Sequence, residues 1–183
     1  MEVDLSRYDN SWYHPGRNFI VRTLWYFVNV LFFKSSLFPV FSLKRFLLRM
    51  FGAQIGRGVV IKPGVNIKYP WNLTIGDFSW IGEGVWIDNL GLTEMGANCC
   101  LSQGALLLCG NHDYHSETFD LMVKKIVLED GVWIGARSVV TGGTKCGSHS
   151  VLAIQSVAPS RMEPYGIYRG NPAEKLKERE LGG

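Results

Sequence analysis

His112 sits in Gly110-Asn111-His112-Asp113-Tyr114-His115, a polar stretch that follows the apolar run Leu106-Leu107-Leu108. An imidazole is mostly a neutral, available base near neutral pH. A hydroxyl is a poor nucleophile until a base removes its proton as it attacks. His112 is therefore the residue that could activate an alcohol, with a surface histidine of no role as the plain alternative. Asp113 and Tyr114 flank it, Asp113 either orienting the ring or capping the loop. A second chemistry would gather His112, His115 and His149 around a metal, since a His-x-x-His pair on one loop can reach one. The four cysteines, Cys99, Cys100, Cys109 and Cys146, form no C-x-x-C pair. They read as free thiols in a reducing compartment. Cys99, Cys100 and Cys146 fall inside an apolar repeat, where a cysteine acts as a small buried hydrophobe rather than a nucleophile.

That repeat must position the histidine. From residue 53 the chain reads in sixes: Ile55-Gly56-Arg57-Gly58-Val59-Val60, Ile61-Lys62-Pro63-Gly64-Val65-Asn66, and onward through Ile75, Ile81, Met95, Leu101, Leu128 and Ile134. Val140, Cys146 and Leu152 open three further units. A period of six is a specific signature. A chain that turns a corner every six residues wraps into a triangular prism, three hexads to a coil. The aliphatic first residue points inward and stacks on its counterparts. The small fifth residue (Val59, Ser79, Cys99, Ala105, Ser138) fits the crowded corner, and Gly, Asn or Asp near the fourth place supplies the turn. Successive coils satisfy one another's backbone groups as parallel ladders.

The register is interrupted at Lys68–Asn72 and, at greater length, over about 109–126, where polar residues and two histidines predict a loop expelled from the prism. Loops on rigid scaffolds are where function concentrates. Asp88 and Asn89 also leave the pattern, as a turn-forming pair or as groups for a bound acceptor. Residues 1–52 form an aromatic-rich segment. Its run FIVRTLWYFVNVLFF is broken by Arg22 and ends at Lys34, too short for a membrane span. It predicts amphipathic helices packed on the body, the second one capped by Ser42. Contact with a membrane surface, through Arg22, Lys34, Lys44, Arg45 and Arg49 beside greasy positions, is the competing reading. Residues 159–183 form an extension in which Asn171-Pro172-Ala173-Glu174 predicts a short basic helix to about Glu180.

The 183 residues carry 19 Lys plus Arg against 16 Asp plus Glu, a surplus too small to argue for nucleic acid. Hydrophobic residues make up 46%, which excludes general disorder. The acidic opening Met-Glu-Val-Asp-Leu is unlike a signal peptide, so a cytoplasmic location is expected.

The hexads, LSQGALLLCGNHDY, the resumed VWIGARSVV and the terminal RGNPAEKLKER together resemble the hexapeptide-repeat O-acetyltransferases. More narrowly, the aromatic N-terminal segment, FGAQIGRGVVIKPGVNIKYPWNLTIGD and GNHDYH are similar to the colanic-acid-biosynthesis type of acetyltransferase, over roughly residues 10 to 180. The resemblance implies an all-β fold, a left-handed parallel β-helix of hexapeptide repeats over 53–158 with an N-terminal helical segment and a short C-terminal helix. It implies acetyl-CoA as co-substrate, no metal, a saccharide or other small-molecule acceptor, and a homotrimer whose sites lie between subunits. His112 matches the catalytic base of the galactoside and maltose enzymes. Trp133, Ala136 and Ile154 match positions along the pantetheine arm, and Ser160, Arg161 and Lys177 match the nucleotide end. The usual Thr-Lys pair is absent there and Glu174 stands where an arginine would, so Arg161, Arg169, Lys175 and Lys177 are phosphate candidates by charge. Trp80, Asp88, Asn89 and Tyr114 are the candidates for the acceptor. Two alternatives share the scaffold: a zinc enzyme like the hexapeptide-type carbonic anhydrases, and a non-catalytic β-helix.

Overall fold

The computed structural model describes residues 2–182. From Gln54 the chain builds a prism of three parallel sheets. The first face stacks six strands, from Gln54–Ile55 through Leu73–Ile75, Thr93–Met95, Ile126–Leu128 and Lys145–Cys146 to Arg161–Met162. The second face carries Val60–Ile61, Trp80–Ile81, Cys100–Leu101, Trp133–Ile134, Val151–Leu152 and then Gly166–Gly170. The third carries Asn66–Ile67, Trp86–Asp88, Leu106–Leu108 and Val139–Thr141. In register, Ile61 lies over Ile81, Ile81 over Leu101 and Leu101 over Ile134. These inward residues are buried in every coil, and so are the small fifth-place residues from Val59 to Ser156. The sixfold period is thus the core itself: each hexad contributes one large and one small apolar or small polar side chain to a single internal stack.

The second place of the hexad is often glycine because the coils meet backbone to backbone there. A Cβ on Gly135 would stand 2.6 Å from the Ile154 amide nitrogen, and one on Gly76 2.5 Å from that of Ala97. The fourth place is left-handed throughout, with φ of +66° at Gly58 and +71° at Gly131. Phe78 (+57°), Arg137 (+55°), His149 (+61°) and Gln155 (+54°) adopt the same conformation without being Gly, Asn or Asp. Ladder bonds hold them there: the Arg137 amide donates to Gln103 O, and the Gln155 amide to Ala136 O, both at 2.9 Å. A corner fixed from the neighbouring coil can impose a conformation that local preference would not choose.

Both ends of the prism are covered. Helix α1 (Phe19–Val28) is capped by Asn18, whose Oδ1 accepts from the Val21 amide at 3.0 Å. It buries Trp25, whose Nε1 donates to Ile67 O at 2.9 Å, and continues as a π-helical turn over Asn29–Lys34. Helix α2 (Phe41–Met50) crosses the first coil and donates to its free carbonyls. Lys44 Nζ reaches Lys62 O at 3.0 Å, Arg45 Nη1 reaches Val59 O at 2.7 Å, and Arg49 Nη2 reaches Ile55 O at 2.7 Å. Three of the basic residues that suited a membrane surface are therefore turned into the protein, and the helices pack on the body. Ser42 does not cap α2: Val40 occupies the cap position with no side-chain bond, and Ser42 lies inside the first turn. Among the described residues, no helix is long and apolar enough to cross a membrane.

The C-terminal helix expected over 171–180 is not formed. Ala173–Glu178 is a strand that turns back antiparallel onto Gly166–Gly170, pairing Gly170 with Ala173 and Gly166 with Glu178. The cap-like Asn-Pro-x-Glu pattern lost to the open edge of the second face, whose unpaired backbone groups a strand can satisfy and a helix cannot. Gly170, at φ +111°, makes the reversal possible. Arg179 pins the return by donating to Gly131 O and His149 O, each at 3.1 Å.

Candidate active site

The expelled segment is an ordered hairpin. Gly110–His112 pairs antiparallel with Leu121–Val123, placing Gly110 opposite Val123 and His112 opposite Leu121. It leaves the prism at the corner between the third and first faces. Its root is fixed because the Cys109 amide donates to Asp88 O at 3.1 Å and the Lys124 amide to Cys109 O at 3.0 Å. His112 is half-buried. Its ring lies flat on Phe119, with centroids 4.3 Å apart and planes within 7°, and the Tyr8 ring approaches from the N-terminal segment at 5.7 Å. Nδ1 lies 2.8 Å from the Phe119 carbonyl oxygen. A carbonyl can only accept, so Nδ1 carries the proton and Nε2 is left with its lone pair. That is the tautomer a general base requires.

The N-terminal segment fastens this loop. The Asp4 amide donates to Glu117 O at 2.9 Å, Arg7 approaches Glu117 at 3.7 Å, and the Tyr13 hydroxyl donates to Leu90 O at 2.8 Å. Burial holds the Tyr13 phenol protonated, well above the usual tyrosine range. Sequence reading missed Phe119, Tyr8 and Tyr13. Phe119 stands out only as an aromatic in an otherwise polar loop, and nothing in the sequence brings residues 4–13 across to it.

The remaining candidates divide among several surfaces. Trp133 and Trp80 are about half exposed on the outer side of the second face, separated by Cys100, and Trp133 Nε1 donates to Ser102 Oγ at 2.9 Å. Ala136 and exposed Ile154 stack one coil apart at the corner between the second and third faces. Trp133, Ala136 and Ile154 thus form one continuous track, whereas His112 stands at the opposite edge of the third face. Ser160 and Arg161 are exposed at the start of the last strand of the first face, and Lys177 is exposed on the returning C-terminal strand. Lys175 is committed to Glu163 at 2.6 Å and Glu178 at 2.7 Å, which hold its amine protonated.

Among the acceptor candidates, Asp88 lines a cavity of about 470 Å³ between α1 and the third face, with its Oδ1 3.0 Å from Lys68 Nζ. Tyr114 is exposed at the loop tip beside His115. Asn89 is not available to a ligand. It is fully buried, its Oδ1 accepting from the Tyr69 amide and its Nδ2 donating to Tyr69 O, so the amide braces two insertions against each other. Trp80, on the second face, does not border the cavity that Asp88 lines.

The other nucleophiles are inert where they stand. Burial pushes the Cys99 thiol up to about 11 and Cys146 to about 12, and it raises Cys109 and Cys100 as well. His149 belongs to a corner of the prism, stacked on Tyr165 with centroids 4.9 Å apart. Among the described residues, no three His, Cys, Asp or Glu side chains are gathered as a metal ion would need.

The chain is 36% identical over 176 residues to the colanic acid biosynthesis acetyltransferase WcaF of Escherichia coli (strain K12), covering 96% of this chain and 97% of that protein. It belongs to the WcaF-like acetyltransferases. No protein-family model matches it. A hexapeptide-repeat acetyltransferase from Vibrio cholerae superposes with a TM-score of 0.79 at 23% identity, over 88% of this chain and 92% of that one. A galactoside acetyltransferase in complex with coenzyme A gives 0.78 at 22%, over 88% and 82%. At those identities the two structures establish a shared hexapeptide β-helix fold. Membership in the WcaF-like family makes the chain an acetyltransferase, and the zinc-enzyme reading loses its ground.

Proposed function

We propose that this WcaF-like chain moves an acetyl group from acetyl-CoA to a hydroxyl of a saccharide, with His112 as the general base. The observation that carries the reading is the Nδ1 contact to Phe119 O, which leaves Nε2 free to accept. The acceptor hydroxyl gives its proton to Nε2 while its oxygen attacks the thioester carbonyl. The tetrahedral intermediate then collapses, the C–S bond breaks, and the imidazolium returns the proton to the departing sulfur. No acyl-enzyme is required, in keeping with cysteines whose thiols burial keeps protonated. Holding the two substrates together supplies much of the rate.

Coenzyme A would run along the track of Trp133, Ala136 and Ile154, with its nucleotide end toward Ser160, Arg161 or Lys177. That track and His112 lie at opposite edges of the third face of one chain. A homotrimer brings the loop of one subunit to the track of the next. The prism surface favours this assembly: the second face exposes Trp80 and Trp133, whereas the first exposes Gln54, Lys145 and Arg161. Closed cyclic packing covers an apolar corner that one chain leaves bare. Names of relatives support a place in polysaccharide biosynthesis.

The test is acetyl-CoA-dependent transfer to a saccharide panel by the full chain and by His112→Ala. Turnover should fall by ~100-fold or more with the melting temperature unchanged, the size of general-base assistance. A loss below about threefold would remove His112 from the role.

A further inference from the structure

Alongside α1, the first two strands of the third face border the cavity of about 470 Å³, within the usual range for small-molecule sites. Aromatic side chains, Phe19, Tyr26, Tyr69 and Trp86, are among its lining, residue types against which sugar rings can pack. Its charges do not balance. Lys68 Nζ stands 3.0 Å from Asp88 Oδ1, a buried oxygen that itself makes no hydrogen bond among the described residues, and against this one carboxylate the cavity also holds Arg22 from α1 and Lys34 from the π-helical turn. The Arg22 Nε is buried and, among the described residues, has no hydrogen-bond partner. An unpaired donor on a permanent cation inside an apolar wall is costly unless a ligand answers it. The ligand chemistry that answers a guanidinium is a carboxylate or a phosphate, bound through its fork of donors.

The rim of the groove is also tied to the root of the loop that carries the base. Asp88, on its rim, accepts through its backbone oxygen from Cys109, three residues before His112. Three residues of extended chain span at most about 10 Å.

Resting on the acyl-transfer reading above, we propose that this groove is the acceptor site and that it selects a saccharide bearing an anionic group, read by Arg22 with Lys34 in support. Sugar phosphates and uronic acids share that chemistry.

Calorimetric titration of the full chain, held saturated with coenzyme A so that cofactor phosphate sites are filled, distinguishes them. The probes are glucose 1-phosphate, glucuronate and glucose. At least one anion should bind ten times or more tightly than glucose, and whichever anion is tighter names the source of the charge. Arg22→Gln should weaken that anion by about tenfold or more, the scale of a lost charge-assisted bond. Lys34→Gln, at an exposed position, should weaken it in the same direction if Arg22→Gln fails to fold. Binding to none of the probes at 10 mM overturns the proposal, as does equal binding of glucose or equal affinity in the folded variants. His112→Ala must retain anion binding, so a failure of the acetyl-transfer reading would leave the groove result standing.

Discussion

The Nδ1 atom of His112 lies 2.8 Å from the main-chain oxygen of Phe119, and the two rings are stacked 7° from parallel. One residue thus fixes both the protonation pattern and the plane of the imidazole. The carbonyl does the first and the aromatic ring does the second.

Phe119→Ala separates these roles, because the carbonyl stays and the ring goes. Turnover should drop by about tenfold, short of the loss in His112→Ala, since misorientation costs less than removal of the base. KM for acetyl-CoA should stay within a factor of two (about 0.4 kcal/mol). An unchanged turnover would show that the stacking has no part in positioning.

Ile134 is fully buried between Leu101 and Leu152 in the stacked core. Ile134→Ala should cost about 2 to 5 kcal/mol, read from denaturant unfolding of the purified chain, because neighbouring coils cannot collapse into the vacated space. Exposed Ile154→Ala should cost under about 0.5 kcal/mol. Similar losses at both sites would contradict the inward assignment of the first hexad position.

Burial keeps Cys99 and Cys146 protonated, to about 11 and about 12, against an ordinary thiol near 9.0. Above pH 9 the folded chain then holds protons that the unfolded chain has released. The stabilisation these thiols give is complete below that pH and disappears as the pH climbs through 11 to 12. Melting temperatures measured from pH 8 to 11 should fall, and the double variant Cys99→Ala, Cys146→Ala should show a shallower fall. Parallel curves would assign the alkaline loss to other groups.

Sedimentation equilibrium should give three times the 20.6 kDa chain mass at micromolar concentration. Trp80→Glu, putting a charge on the outward side of the second face, should shift the mass toward one chain and abolish transfer together. A monomer that remains active would refute the shared site.

The period of six determined most of this molecule. The residues that face inward, the small corner residues and the point at which the loop is expelled all follow from spacing, because each coil repeats one local geometry and needs only its neighbours to be stable. His112 was legible for the same reason, as a polar interruption of a strict pattern. Packing alone decided the rest. Asn89 braces Tyr69 instead of facing a ligand, since two insertions distant in sequence meet at one corner. The basic residues of α2 cap carbonyls of the first coil, and residues 173–178 became a strand, because each end of a solenoid presents backbone groups that must find partners. The Arg22 groove, too, exists only once α1 lies across the third face, a contact such as Trp25 to Ile67, 42 residues apart, that no local pattern encodes.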